Sequence, residues 1–296
     1  MRQTASDNLR ATRGAAKAVI AGACTYWLVS AWLARGKWRR RPALLQPVGP
    51  SVTFLKPIKP SDSGAVDRIA ELLTLLRDGD QIIAGVSERD TRTLEQLSAL
   101  EAGAARSQLV VVRCIEPRAY VNPKISKLLQ MDGAVRNPLV VLTDSEVVPE
   151  RGWIEEVRRT LSNHPMALVT AAYRFRGMQN LAEDLDASAP GLLLWPGAAL
   201  RLGIGSIDFA FGALLAAERT VLASLGGWER YLPELADDNA IAGAWRSAKL
   251  PILVLDSVVI LEADRMSVRE VWHHQIRVAR TYREAAPVGF AASILV

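Results

Sequence analysis

Segments rich in strand-forming apolar residues alternate with segments of helical character through the middle of this chain. Residues 51–56, 81–86, 108–113, 139–143 and 167–172 read as strands. Residues 65–77, 94–102, 124–135 and 153–162 read as helices between them. That rhythm predicts βαβ units, an α/β fold and a mainly parallel central sheet flanked by helices. Right-handed crossovers then put the C-terminal ends of all these strands on one sheet edge. Residues near 56, 88–90 and 144–146 are expected to converge there. Beyond about residue 175 the rhythm changes. Residues 191–205 are apolar and Gly-rich without clear period, 236–246 read as a helix, and 251–260 read as a strand. Gly203 and Gly205 lack the third glycine of a dinucleotide fingerprint.

Residues 138–146, PLVVLTDSE, are the most informative stretch. An apolar run suited to the centre of a sheet ends in Asp144 and Glu146. Open α/β sheets bind ligands at that end of their strands. Strand alternation would point both acids the same way, so that they share one divalent cation. The alternative is a polar turn with both carboxylates solvated.

From Ala18 to Ala34 the chain carries no charge. This run is near the lower limit of about 17–25 residues for crossing a bilayer. Lys17 can extend it by snorkelling, and Arg35, Lys37, Arg39, Arg40 and Arg41 follow. Such a basic block holds its side in the cytoplasm, which predicts a single N-terminal span with the body of the protein cytoplasmic. A cleaved signal peptide would need small residues where Trp32 and Leu33 stand. A buried soluble helix is the other alternative.

The charge changes the picture only at that end. The net +5 comes from 36 Lys/Arg against 31 Asp/Glu, and residues 1–41 hold nine of the former and one of the latter. The remainder is net −3, which argues against a nucleic-acid partner. Two cysteines, Cys24 and Cys114, make a disulfide framework improbable.

Three further constellations could carry chemistry. Asn122-Pro123-Lys124 has the order of a capped helix start, where a free N-terminus and a lysine can receive phosphate. Asp237-Asp238 opens another helix, so one acid can cap while the other faces a cleft as a general base. Ser267 and Glu270 form a capping box. The helix they begin groups Val268, Val271, Trp272, Ile276 and Ala279 on one side and Arg269, His273, Arg277 and Arg280 on another. That is the pattern of a basic helix lying on a membrane surface, with His274 and Arg277 placed to meet a diphosphate. The plainer reading of each is an ordinary helix start or a solvated basic face.

Taken in order, Thr53-Phe-Leu-Lys56-Pro57, an acid after the second strand, Asn122-Pro123-Lys124, Asp144-Ser-Glu146, Gly226-Gly227, Leu235-Ala-Asp237-Asp238 and His274-x-x-Arg277 resemble the ceramide glucosyltransferase-like family, glycosyltransferase family 21. Its relatives include glycosyltransferases associated with hopanoid biosynthesis. The resemblance implies a GT-A fold, a nucleotide-sugar-binding half and a membrane-facing acceptor half. It implies an inverting hexosyltransferase with a UDP-sugar donor, Mg²⁺ or Mn²⁺, and a lipid acceptor at the bilayer. Asp90 matches the aspartate near the nucleotide, Asp144 the metal and sugar-diphosphate aspartate, and Glu146 the position where relatives often have Asp. Asp238 matches the catalytic base. His274 and Arg277 match the Gln/Arg-x-x-Arg-Trp motif that grips the diphosphate. Lys56 and Lys124 join the expected donor site. Val278 stands where the motif has Trp. The expected division is an anchor at 1–41, a GT-A domain at 42–265 and an interfacial helix with an apolar tail at 266–296. A catalytically inactive membrane-bound scaffold and a sugar nucleotidyltransferase are the rival functions.

Overall fold

The computed structural model describes residues 2–38, 49–60, 62–103, 108–117, 121–205 and 207–292. The strands are β1 Val52–Pro57, β2 Gln81–Ser87, β3 Leu109–Cys114, β4 Leu139–Thr143, β5 Leu168–Thr170, β6 Tyr173–Arg176, β7 Leu214–Glu218, β8 Ile252–Val254 and β9 Val259–Glu262. The helices are α1 Arg2–Trp38, α2 Ala65–Leu75, α3 Thr91–Ala102, α4 Pro123–Asp132, α5 Arg151–Asn163 and α6 Leu181–Leu193. They continue with α7 Trp195–Gly203, α8 Arg219–Ser224, α9 Asp237–Ser247, α10 Val268–Ala285 and α11 Pro287–Ala292.

Seven strands form one sheet in the order β3-β2-β1-β4-β7-β5-β8. β1, β2, β3 and β4 are parallel, as the βαβ rhythm requires. β7 runs antiparallel between β4 and β5. This corrects the expectation that every strand ends on one edge. The antiparallel strand, LLAAE, lacks polar alternation because the sheet buries both its faces. Residues 251–260 also split, β8 joining the main sheet while β9 pairs with β6 in a two-stranded sheet. The apolar 191–205 stretch lies largely in α6 and α7.

Alternation along β1 explains the two cores. Phe54 points to one side, with Ile69, Ile82, Leu97 and Trp153 from α2, β2, α3 and α5. Leu55 points to the other, with Ile125, Leu128 and Met131 from α4 and Trp245 from α9. Each such fully buried side chain contributes ~1.5–3 kcal/mol. The crossovers reverse direction between β1 and β4, which leaves a crevice beyond their carboxyl ends. Gly226 and Gly227 make the turn after α8 with φ of 107° and 59°, a backbone that side-chain-bearing residues rarely adopt.

The uncharged run lies inside α1, whose stretch Ala16–Trp38 is long and apolar enough to cross a membrane. Its C-terminal half packs on α7. Gly203 gives Leu33 room, since a Cβ there would lie 2.7 Å from Leu33 Cδ1. Trp38 meets Trp195 at 5.3 Å between ring centroids, and Lys37 pairs with Asp256. Arg39, Arg40, Arg41, Pro42 and Pro47, which the sequence assigns to a basic flank and linker, lie outside the described residues.

Candidate active site

A cleft of about 1230 Å³ opens beyond the ends of β1 and β4. Lys124, Asp144, Glu146, Asp238, His274 and Arg277, all anticipated from sequence, line it together. They come from four places: α4, the turn after β4, α9 and α10.

Asp144 begins the turn after β4, its N–H donating to the Ala213 carbonyl at 3.2 Å. Burial raises its affinity for a proton, and Glu146 adds to that, against the opposing pull of Lys124. Lys124 Nζ lies 2.7 Å from Asp144 Oδ1 and 3.4 Å from Asp237 Oδ2. Burial disfavours the ammonium, but Asp144 and Asp237 outweigh it and hold Lys124 above the usual lysine range. The α4 N-terminus itself is already satisfied. Asn122 Oδ1 accepts from the N–H groups of Lys124 and Ile125 at 2.9 and 3.2 Å. The phosphate site expected at those amides is therefore closed, and Lys124 reaches the cleft through its side chain.

Asp238 sits in the first turn of α9, with Ala236 rather than either aspartate at the cap position. Burial first, then the neighbouring Asp237, pushes its carboxyl up to about 6. Its Oδ1 accepts the Asn239 N–H at 2.7 Å. A Cβ on Gly212 would lie 2.9 Å from its Oδ2, so glycine is what lets the carboxylate approach the start of β7.

Glu146 lines the cleft with Asp144, but strand alternation is not what places them there. β4 ends at Thr143, so strand alternation stops before either acid. Glu146 Oε1 meets Lys59 Nζ at 2.6 Å, and Lys59 also pairs with Asp264. Burial alone would raise Glu146, but Lys59 overrides it and holds the carboxyl below its usual range.

Two anticipated residues do not line the cleft. Lys56 is buried beneath the turn, donating to the Asp144 carbonyl at 2.8 Å. Desolvation, helped by Arg68, brings its ammonium down to about 8. Asp90 stands at the sheet edge after β2 but caps α3, accepting the Thr93 N–H at 3.2 Å.

On the far wall, α6 and α10 pack together, so α10 forms part of the cleft. Arg277 lines the cleft with no ion-pair partner among the described residues. Val271 is buried, whereas Val268 and Trp272 face outward, contrary to a single packed apolar side. Sequence reading missed Asp186, which accepts from Gln275 Nε2 at 2.6 Å and lies 2.8 Å from His274 Nδ1. It also missed Tyr173, whose hydroxyl is pushed up by burial and by Asp144, Asp238 and Asp186. Tyr173 lines the same cleft. The only signal was the spacing of Glu183, Asp186, Ala187 and Pro190, one face of a helix that the stretch did not advertise.

A carboxylate with a raised proton affinity, a second carboxylate and a lysine thus share one cleft at a sheet switch point, where open α/β sheets bind ligands. The model for Glycosyl transferase family 21 matches residues 15–296. The chain belongs to that family and is a glycosyltransferase. A mannosyltransferase from Pyrobaculum calidifontis, solved with GDP-Man and Mn²⁺, superposes with a TM-score of 0.59 at 17% identity. The match covers 94% of this chain and 80% of that one, and shows the shared GT-A-type fold. Glucosyl-3-phosphoglycerate synthase from Mycobacterium tuberculosis, solved with Mn²⁺, UDP and glucosyl-3-phosphoglycerate, is similar at a TM-score of 0.49 and 17% identity over 81% of each chain. No curated protein matches the chain.

Proposed function

We propose that this protein transfers a hexosyl group from a UDP-sugar to a hydroxyl of a membrane lipid, inverting the anomeric centre. The observation that carries the reading is that Asp144 and Asp238 open onto one cleft, with Lys124 between them in charge. The donor spans the carboxyl edge of the sheet with its diphosphate beside Asp144.

The residues present suit a divalent cation that arrives with the diphosphate. Asp144 and Glu146 offer carboxylate oxygens, and among the described residues no group of three His, Cys, Asp or Glu forms a preassembled cage. Mg²⁺ and Mn²⁺ suit such an open site, because substrate phosphates and water complete the shell. When bound, the cation neutralises charge on the departing diphosphate.

The remaining work falls to the chain itself. Asp238 accepts the acceptor hydroxyl's proton while that oxygen attacks the anomeric carbon opposite the leaving group. Its raised proton affinity suits a base that must release the proton again near neutrality. Arg277 steadies the leaving diphosphate by charge-assisted hydrogen bonds. Lys56 keeps Asp144 in place through its backbone carbonyl.

Support for a lipid acceptor lies on the outer surface. α6 and α10 line the cleft on one face and expose Leu181, Leu185, Leu192, Val268 and Trp272 on the other. α7 packs on both α1, the candidate membrane span, and α6. An acceptor entering from the bilayer would then meet the cleft directly, with the catalytic body cytoplasmic. The test is incubation of the purified full chain with radiolabelled UDP-sugars, Mn²⁺ and total lipid extract. The reading expects UDP release and a labelled lipid; no labelled lipid from any donor would refute it.

A further inference from the structure

The turn that carries Asp144 and Glu146 is held from behind at three successive carbonyls. Lys56 Nζ donates to that of Asp144 at 2.8 Å, Arg68 Nε to that of Ser145 at 2.7 Å, and the Glu262 N–H to that of Glu146 at 3.0 Å. Arg68 stands in the first turn of α2, 77 residues from Ser145 in sequence, and is 5% exposed. Its other guanidinium nitrogens pair with Asp62, in the loop before α2, and with Glu262, at the end of β9. One cation thus joins a loop, a strand and the turn. The surroundings suit its planar fork. A Cβ on Gly64 would overlap Arg68 Nη1, so glycine leaves the space that the guanidinium fills. A lysine ammonium is a point donor and does not span the same three partners.

We propose that Arg68 is a positioning residue: by gripping the Ser145 carbonyl it fixes the backbone between Asp144 and Glu146, so that both carboxylates face the cation and diphosphate of the donor. The inference rests on the donor site proposed above. The carboxylates themselves pair with Lys124 and Lys59, and Arg68 acts on them through the peptide between them. Ser145 carries the effect further, because its Oγ donates to Glu146 Oε2 at 3.1 Å. A small rotation of this residue would therefore redirect both acids, and metal sites tolerate such misplacement poorly.

The test reads Mn²⁺ binding by electron paramagnetic resonance on the full chain in detergent with saturating UDP, beside the melting temperature. Arg68→Lys keeps the charge and gives up the fork. It is expected to weaken Mn²⁺ binding about tenfold and to alter the spectrum of the bound ion. Glu262→Gln leaves the contacts of Arg68 with Ser145 and Asp62 and should stay within about threefold of wild type. Gly64→Ala keeps every charge and displaces only the guanidinium, so it should weaken Mn²⁺ binding about threefold or more; it decides the matter if Arg68→Lys does not fold. Wild-type Mn²⁺ affinity and spectrum in folded Arg68→Lys, or in Gly64→Ala in its place, with only the melting temperature lowered, would make Arg68 a structural tie and overturn the inference. A loss in Glu262→Gln equal to that in Arg68→Lys would assign the effect to the ion pair and overturn it too. A wild-type protein that binds neither Mn²⁺ nor UDP would instead defeat the parent reading.

Discussion

Lys124 Nζ lies 2.7 Å from Asp144 Oδ1, so the carboxylate expected to meet a metal is already matched by an ammonium of the chain. A divalent cation must therefore compete with Lys124 for that oxygen, and it does so best when a diphosphate supplies further ligands. Lys124→Gln removes the competitor. Mn²⁺ affinity without nucleotide, read by electron paramagnetic resonance, should rise about tenfold, or ~1.4 kcal/mol. Lys124 also favours the ionised form of Asp238, so the acid limb of the pH–rate profile should move to higher pH in this variant.

Asp238 links activity to pH and to stability with opposite signs. Its carboxyl ionises at about 6, and only the ionised form is a base. The rate should therefore climb as pH rises through 6 and level off above it. An unfolded chain holds the same proton only below about pH 4. The folded state gains stability from proton binding below that value and loses it as pH rises through 6. Asp238→Asn should consequently melt above wild type at pH 8, by a difference of about 3 kcal/mol, and lose that advantage at pH 4. Differential scanning calorimetry at the two pH values checks this. Equal melting temperatures at pH 8 would mean that the carboxylate is better solvated than its position indicates.

Gly212 guards the position of Asp238, the proposed base. An added methyl at 2.9 Å from Asp238 Oδ2 must push the carboxylate aside. Gly212→Ala should lower kcat about tenfold to a hundredfold through misplacement of the base. Donor KM should stay near wild type, because Asp144 and Arg277 are untouched. A change in KM alone would argue against this geometry.

The outward apolar residues predict membrane docking beyond α1. Trp272 is 66% exposed and Leu185 62% exposed. Replacing both by Ser in the protein cleaved after α1 should weaken its partition to vesicles containing acidic lipids by roughly tenfold. Sedimentation with vesicles measures it, and unchanged partition would assign those side chains no part in docking.

Local signals were readable where local physics decides the outcome. The 139–143 strand matches β4, because an apolar run flanked by turn residues needs no distant partner to be recognised. Asn122 and Pro123 start α4, and Ser267 with Glu270 forms the capping box of α10, for the same reason. β7 escaped notice because its apolar residues sit in a long apolar region where neither period stands out. Glu146 lines the cleft with Asp144, but no spacing reports that it also meets Lys59, 87 residues earlier. The Asp186 contact with His274 spans 88 residues and depends on how α6 packs, which no local pattern reports. The same limit applies to Lys56, whose place at the end of β1 suggested the donor site while its side chain is buried beneath the turn.

Sugar transfer by Asp238→Asn protein, compared with wild type under saturating UDP-sugar, Mn²⁺ and lipid, bears hardest on the proposed chemistry. Loss of the base should lower kcat by about 10²–10⁴-fold with donor KM little changed. Retention of wild-type kcat by that variant would show that the proton leaves by another route and that Asp144 and Asp238 do not work as one site.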